Sequence, residues 1–525
     1  MDRRMFAGRI LAGLCGVQLH KKYVSGALVN TAEHPQPKDG SVIVRPSIRE
    51  LREQIPEENQ VVWVLGYHSP FDGGGGLFVG QPASEREPDG GLVVESESGG
   101  GTSGRWVRMA NQSSYNGGWW RAHPSQEGAV NADAFQRCVD AVPEGSTIAV
   151  PEGIYDVSGP IVIDGKQVDF VGAGDGYWGW DDGGTVLRAT DELGVTDDLL
   201  LITDTTSEEG RTNNVRVADL QLIGGKNRGS TGRDGIHVTK GWNVRIERVT
   251  VKEASRDGMH LRSGEEQVSN LCMLYHCHAS NNGQDGYYFL AHDSWASFCR
   301  GNHNRRNGIT VGATNVGLNG LRLDLNGGDG ARILSKHCRC ASSMADLNGG
   351  HGFHVTGPGH IITGNMSSSN GTREARIENP CGFRLGVENS PDEQSVFSEN
   401  VALRNQGDGF WLDGGAHVFK DTNTATGNQG RALRHGDSRR YQLSARQTRT
   451  DVDLAERAND GVATFTVQVP EAASGDAVSV QPDRIADGLL WSAFVREPGQ
   501  VEVRVFDPTG EFPEGTTDWT VHIDR

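Results

Sequence analysis

Three carboxylates recur in one short phrase. Asp234, Asp257 and Asp285 each precede a Gly and then an apolar, a variable and an apolar residue: Asp234-Gly-Ile-His-Val, Asp257-Gly-Met-His-Leu and Asp285-Gly-Tyr-Tyr-Phe. If such phrases stack, neighbouring carboxylates lie about 5 Å apart, the spacing a retaining glycosidase needs. More distant pairs approach the roughly 6.5–9.5 Å of an inverting one. Asp234, Asp257 and Asp285 are therefore the candidate catalytic residues. The variable residue of each phrase supplies a second set: His237, His260, Tyr288, Thr310, Arg332, His354, Arg384 and Trp411. Aromatic faces stack on sugar rings, and Arg grips carboxylates or sulfates with two parallel hydrogen bonds. His237, His260, Tyr288, Arg332, His354, Arg384 and Trp411 are expected to face outward and bind glycan. The structural alternative is plain. Asp-Gly also recurs at Asp329 and Asp408, as a mere turn would, and stacked rings and guanidinium groups also stabilise a ladder. Asp293, Asp324 and Asp346 lie outside the phrase, with no turn to account for them.

The phrase continues through Asn307, Asp329, His351, Cys381 and Asp408, with Gly-to-Gly steps of 23, 28, 22, 22, 22, 30 and 27. A period near 22 with insertions marks a stacked repeat. Asp-Gly is expected to turn the chain through the positive φ that Gly accepts, and the alternation that follows is that of a strand with one buried face. A second phrase, from Asn214 to Leu222, returns from Asn243 to Val251 and holds two strands joined by a bent corner. Three short strands and three turns close one coil, with the next coil about 4.8 Å above it. The expected fold is all-β: a right-handed parallel β-helix of at least eight rungs, with a small N-terminal β module and a C-terminal antiparallel β-sandwich.

The 72 Gly among 525 residues lack the triplet spacing of collagen and suit a turn-rich β protein. Net charge is −18, and nine Lys stand against 41 Arg. That surface resembles proteins of extreme halophiles, although a GC-rich genome gives the same Arg bias. Its acidity argues against nucleic acid held by phosphate contacts. Of eight Cys, six (Cys272, Cys277, Cys299, Cys338, Cys340 and Cys381) fall inside the rungs. Cys338-x-Cys340 is too tight for a usual zinc pair, so these read as small interior side chains, and neither metal nor cofactor is expected. No apolar run reaches membrane-spanning length.

In chain order, residues 1–40 are an arm and linker. Arg3-Arg4 with Phe6 is similar to a twin-arginine export signal, but Arg9 interrupts the apolar core, and a docking arm fits better. Residues 41–110 form the small β module. Its strand ending in Gly66-Tyr67, its turn Asp72-Gly-Gly-Gly-Gly76 and its closing strand Gly104-Arg-Trp106 resemble the virion-proximal module of tail fibres and tailspikes of tailed viruses. Residues 111–440 hold a cap and the β-helix. The short helix around Asn131–Ala141, then Val150-Pro-Glu-Gly-Ile-Tyr155 and Val171-Gly-Ala-Gly174, look like the first coils of the pectate-lyase-like superfamily. An aromatic loop at Gly176–Gly184 either covers the barrel end or stacks sugars. Residues 441–525 alternate as a small sandwich, similar to the C-terminal modules that trimerise phage fibres or bind hosts. Gly350-His351-Gly352 matches a tripeptide of polygalacturonases, but lies several rungs too late.

The resemblance implies a virion tail fibre or tailspike, probing host glycan from outside the cell as a homotrimer fixed to tail or baseplate proteins, with no nucleic acid and no membrane span. The alternatives on the same scaffold are a depolymerase, acting as glycoside hydrolase or polysaccharide lyase, and a secreted polysaccharide lyase. The halophilic surface adds a haloarchaeal virus to the expectation.

Overall fold

The computed structural model describes residues 42–524 except 99–103, 111–112, 177–182, 195–196, 207–209, 227–232, 263–268, 373–376, 387–393, 414–415, 421, 436–439, 444, 460, 470–471, 475–476, 483–488, 508–511 and 513–515. The arm or export signal at 1–40 and the aromatic centre of the loop after Gly176 lie outside the described residues.

Short strands pair in parallel into three columns along a rod. One circuit runs through Trp295–Ser297, Arg300–Asn302 and Ile309–Val311, and the next through Gly317–Asn319, Arg322–Asp324 and Ala331–Ile333, each strand in register with the one a coil earlier. This is a parallel β-helix. Corners between the first and second columns turn on one residue in the left-handed region: Phe298 (φ 55°), Gly320 (63°) and Ser342 (52°). Those between the second and third turn on Leu325 (61°) and Leu347 (56°). Earlier in the rod the first two columns fuse in the long strands Arg216–Ile223 and Arg245–Lys252, bent at Asp219 (57°) and Arg248 (50°).

The glycines of the Asp-Gly phrase do not act as expected. Gly258, Gly286, Gly308, Gly330, Gly352, Gly382 and Gly409 are absent from the positive-φ positions. They are required by close approach instead. A Cβ at Gly330 would stand 2.7 Å from the Gly352 carbonyl oxygen and 2.6 Å from Ala345 Cβ, so only hydrogen fits between coils.

Inside the rod, like stacks on like. Phe353, Phe383 and Phe410 stack at 4.9 Å with planes 7° and 12° apart. The six rung cysteines are buried free thiols. Burial pushes those of Cys272, Cys340 and Cys381 up to about 12, so they are packing groups. At the second corner an asparagine column runs through Asn282, Asn304, Asn326, Asn348 and Asn370. Asn282 Oδ1 accepts from Ala254 N at 3.0 Å, and from Asn304 onward each Oδ1 accepts both the backbone N–H and the side-chain N–H of the Asn one coil before it, at 2.9–3.1 Å. The buried amides are thereby satisfied.

The first coil is capped by helix Gly128–Ala141, whose Phe135 packs edge-on against Tyr155 and Phe170 at 5.3 and 6.2 Å. That contact covers apolar interior that an open rod end would expose. Before the rod, strands Ile43–Arg45, Val61–Val64, Gly76–Gln81, Val93–Glu95 and Arg105–Arg108 form one sheet around Phe78, Val94 and Trp106. Its run of four Gly cradles a cation. Arg108, buried, donates to the carbonyls of Gly74, Gly75 and Gly91, and burial lowers its pKa to about 9. After the rod, antiparallel sheets of three and four strands enclose a separate core with Phe465 and Trp519.

Candidate functional site

The third column of strands carries the candidate residues. Register aligns His237 with His260, His260 with Tyr288, Tyr288 with Thr310, Thr310 with Arg332, Arg332 with His354, His354 with Arg384, and Arg384 with Trp411. The expected column therefore exists as a line of side chains. It is not uniformly open. His237, His260 and Thr310 are buried, whereas Tyr288, Arg332, His354, Arg384 and Trp411 are half-buried. The expected outward face is thus corrected at its lower end. There the Asp-Gly corner folds Asp198, Asp234 and Arg256 onto the rings. Trp411 lies between the guanidinium groups of Arg384 (4.4 Å) and Arg434 (4.3 Å). Both its faces are occupied, which leaves only an edge for a sugar.

The three aspartates form a ladder with their backbone. Asp257 N donates to Asp234 Oδ1, Asp285 N to Asp257 Oδ1 and Asn307 N to Asp285 Oδ1, each at 2.9 Å. The line continues through Asn307, Asp329 and His351. It begins one coil earlier, where Asp198 Oδ1 accepts from Asp234 N at 3.0 Å. Asp198 carries no Gly after it, so the phrase did not reveal it. One oxygen of each residue serves the fold, and only the second is left for chemistry.

Those second oxygens differ in surroundings. Burial opposes ionisation of Asp234, but hydrogen bonds from His260 and Arg256 outweigh it and hold the carboxyl to about 2. Burial, with the charges of Asp234 and Asp285, pushes Asp257 up to about 7. Burial also raises Asp285, whose Oδ2 has no hydrogen-bond partner. Carboxyls pushed apart in this way suit acid and base roles. All three are nonetheless buried, so a glycosidic oxygen does not reach them in this conformation. His351 has its pKa lowered to about 4 by burial, and its Nδ1 accepts from Cys381 N at 3.0 Å.

Two further constellations lie on the other faces. On the second column, Asp324 and Asp346 stand in register on adjacent coils, Asp324 buried and Asp346 half-buried. Arg300 grips Asp324 at 3.1 and 3.3 Å, and burial with the Asp324 charge raises Asp346. On the first column, Trp295 is 43% exposed. A Cβ at Gly317 would meet its ring at 2.6 Å, so the indole lies over that Gly. Beside it runs a groove of about 490 Å³ lined by Ser297, Asn319, His337 and Arg339. Sequence reasoning missed this groove because its residues share no phrase. Only the Gly at the position stacked on Trp295 hinted at it.

Residues 44–111 match the family described as the phage tail protein small four-stranded beta-sheet domain. No curated protein matches the chain by sequence. Among solved structures, the chain is similar to tailspike protein 2 of Escherichia coli O157:H7 bacteriophage CAB120, with TM-score 0.54 and 11% identity over 92% of this chain and 80% of that one. It is similar to gp49 of Acinetobacter baumannii bacteriophage Fri1, described as a capsular polysaccharide depolymerase, with TM-score 0.52 and 13% identity over 92% and 98%. It is also similar to the gp42 tailspike of Acinetobacter phage vb_AbaP_AS12, with TM-score 0.51 and 12% identity over 91% of each. The chain has the β-helical fold of phage tailspikes, preceded by a segment that matches a phage tail domain family. Among its described residues no helix is long and apolar enough to cross a membrane.

Proposed function

We propose that this chain is a tailspike or tail fibre of a tailed virus, carried on the virion outside the cell, that binds a glycan on the host surface. The observation that carries this reading is order: a phage tail domain at 44–111 directly precedes the β-helix. The arm and small module at 1–110 attach the protein to tail or baseplate proteins, and the C-terminal sheets trimerise it or touch the host. The acidic, Lys-poor composition supports a haloarchaeal virus. The glycan lies along the accessible part of the third column, where Tyr288 offers a ring and Arg332 and Arg384 offer half-buried guanidinium groups. His237, His260, His354 and Trp411 support that face from within or at its edges. Immunolabelling of purified virions tests the assignment. Label on tail appendages agrees with it, and protein found only in culture medium favours a secreted polysaccharide lyase.

A second reading, a depolymerase, is favoured by the carboxyl pairs. Asp234, Asp257 and Asp285 need the corner to open before they act. Asp324 and Asp346 stand on adjacent coils about 4.8 Å apart, close to retaining geometry, with Asp346 half-buried and Asp324 buried beneath Arg300. In this reading Asp346 is the acid and Asp324 the nucleophile. New reducing ends released from host glycan, lost in Asp346→Asn, would establish it. Loss in Asp257→Asn instead would point to the buried ladder.

A further inference from the structure

We propose that the groove beside Trp295 holds one anionic sugar residue, a uronate or a sulfated sugar, of the host glycan that the third column binds. The inference rests on that glycan-binding reading and extends it to a second face of the rod. Trp295, Gly317 and Arg339 stand in one row across three successive coils. The glycine between them sets the shape. A Cβ there would stand 2.6 Å from Trp295 Cδ1 and 3.0 Å from its Nε1, so only hydrogen lets the indole lie across the next coil. The same arrangement recurs at the neighbouring corner, where a Cβ at Gly320 would stand 2.8 Å from Phe298 Cδ1. Tyr275 joins these rings, 6.0 Å from Phe298, and all three residues are exposed. Exposed apolar groups gathered on one patch mark an interaction site.

The groove mixes a ring, neutral polar groups and cations, which is the chemistry of a charged sugar. Trp295 supplies an aromatic surface for the C–H groups of a pyranose. Ser297 and Asn319, in register on adjacent coils, offer a hydroxyl and an amide to sugar hydroxyls. His337 and Arg339 line the groove from the next coil, with Lys336 just before them, and all three are exposed. No carboxylate among the described residues pairs with Arg339. Asp293, the acidic residue at this corner, is already held by Asn315 Nδ2 at 2.8 Å. In a chain of net charge −18, an unpaired guanidinium beside a second cation and an imidazole selects an anion. A guanidinium holds a carboxylate or sulfate through two parallel hydrogen bonds.

The groove also lies where the two faces meet. The chain passes from the third column at Val311 to the first at Gly317 through residues 312–316, and from Ile333 to Arg339 through 334–338. Asn315 and His337 occupy equivalent places on this corner, both in the left-handed region at φ 58° and 55°, and both line the groove. A polysaccharide on the third column therefore reaches the first by turning over one corner. The competing occupant is a second copy of this chain seated on the same rings, and the test separates the two.

The test titrates the full chain with trigalacturonate, a sulfated galactose trisaccharide and the uncharged galactose trisaccharide. The readout is Trp295 fluorescence, taken as the difference from a Trp295→Phe variant. A charged probe is expected to change it, with an affinity that falls as salt rises, and the uncharged probe to bind at least about 10-fold more weakly. Arg339→Ala should weaken the charged probe by about 10-fold at an unchanged melting temperature. The Tyr288→Ala/Arg332→Ala double variant should keep the response, since those residues lie on the third column. No response to either charged probe, equal binding of the uncharged one, or Trp295 shielded from acrylamide quenching in the intact protein would overturn the proposal, the last by giving this face to a sister chain. Host polysaccharide retained with no Trp295 response would sink this inference alone. A Trp295 response with no polysaccharide retained would count against the adsorption reading and leave the anionic-sugar site standing.

Discussion

At the residue scale, one oxygen of each Asp-Gly carboxylate serves the backbone of the next coil, and the other meets charge. Asp257 shows the cost of that second oxygen. Its carboxyl stands at about 7 in the fold against an ordinary 3.8, so the fold favours its protonated form. Stability from this group is present at low pH and is lost as pH rises from 3.8 towards 7. Asp234, held to about 2, works the other way, and its contribution is lost as pH falls from 3.8 towards 2. An Asp257→Asn variant keeps the acceptor that Asp285 N needs, as Asn307 already does for Asp329 N. It is expected to melt higher than the unaltered chain at pH 8 and not at pH 4, measured by thermal unfolding in chelator. These aspartates were legible because Gly follows each of them. Asp198 was not, because its place in the ladder depends on a coil with no phrase. Nor was the burial of His237 and His260 legible, since the groups that cover them lie at corners of neighbouring coils.

At the scale of the coil, the period near 22 was readable and the reason for its glycines was not. Steric closeness between coils leaves no trace in a single phrase, whereas a turn is the usual meaning of Asp-Gly. The two readings separate at Gly330, whose φ is not positive. Glycine to alanine at such a position ordinarily stabilises by about 0.4–1 kcal/mol. Here a Cβ would meet backbone and side chain at 2.6–2.7 Å, so Gly330→Ala should lower stability by about 2 kcal/mol or more in denaturant unfolding. The asparagine column was also hidden, because its members sit in loops that read as ordinary turns. Asn326 Oδ1 accepts twice and its Nδ2 donates to Gly301 O and Asn348 Oδ1. Removing it leaves buried partners unmet, and Asn326→Ala should cost about 2–4 kcal/mol. Three separate apolar clusters form, around Phe78 and Trp106, inside the rod, and around Phe465 and Trp519.

At the scale of the whole molecule, a rod with outward ladders on three faces offers long surfaces, and a virion appendage would use one for host glycan and others for sister chains. Light scattering on the intact protein is expected to give a trimer mass, and a monomer mass would contradict the assembly. Accessibility decides which face could meet a glycan. Tyr288 and Arg332 remain reachable, Trp411 is sandwiched by guanidinium groups, and Trp295 lies open beside Arg339. The most direct test is retention of host surface polysaccharide by the purified full chain, compared among Tyr288→Ala, Arg332→Ala, Trp411→Ala and Trp295→Ala. The account predicts that the unaltered protein retains the polysaccharide, that Tyr288→Ala and Arg332→Ala lose about 10-fold or more in affinity while melting normally, and that Trp411→Ala changes little. No retention of any host surface glycan by the folded chain would contradict it, and loss confined to Trp295→Ala would move the glycan to the first face.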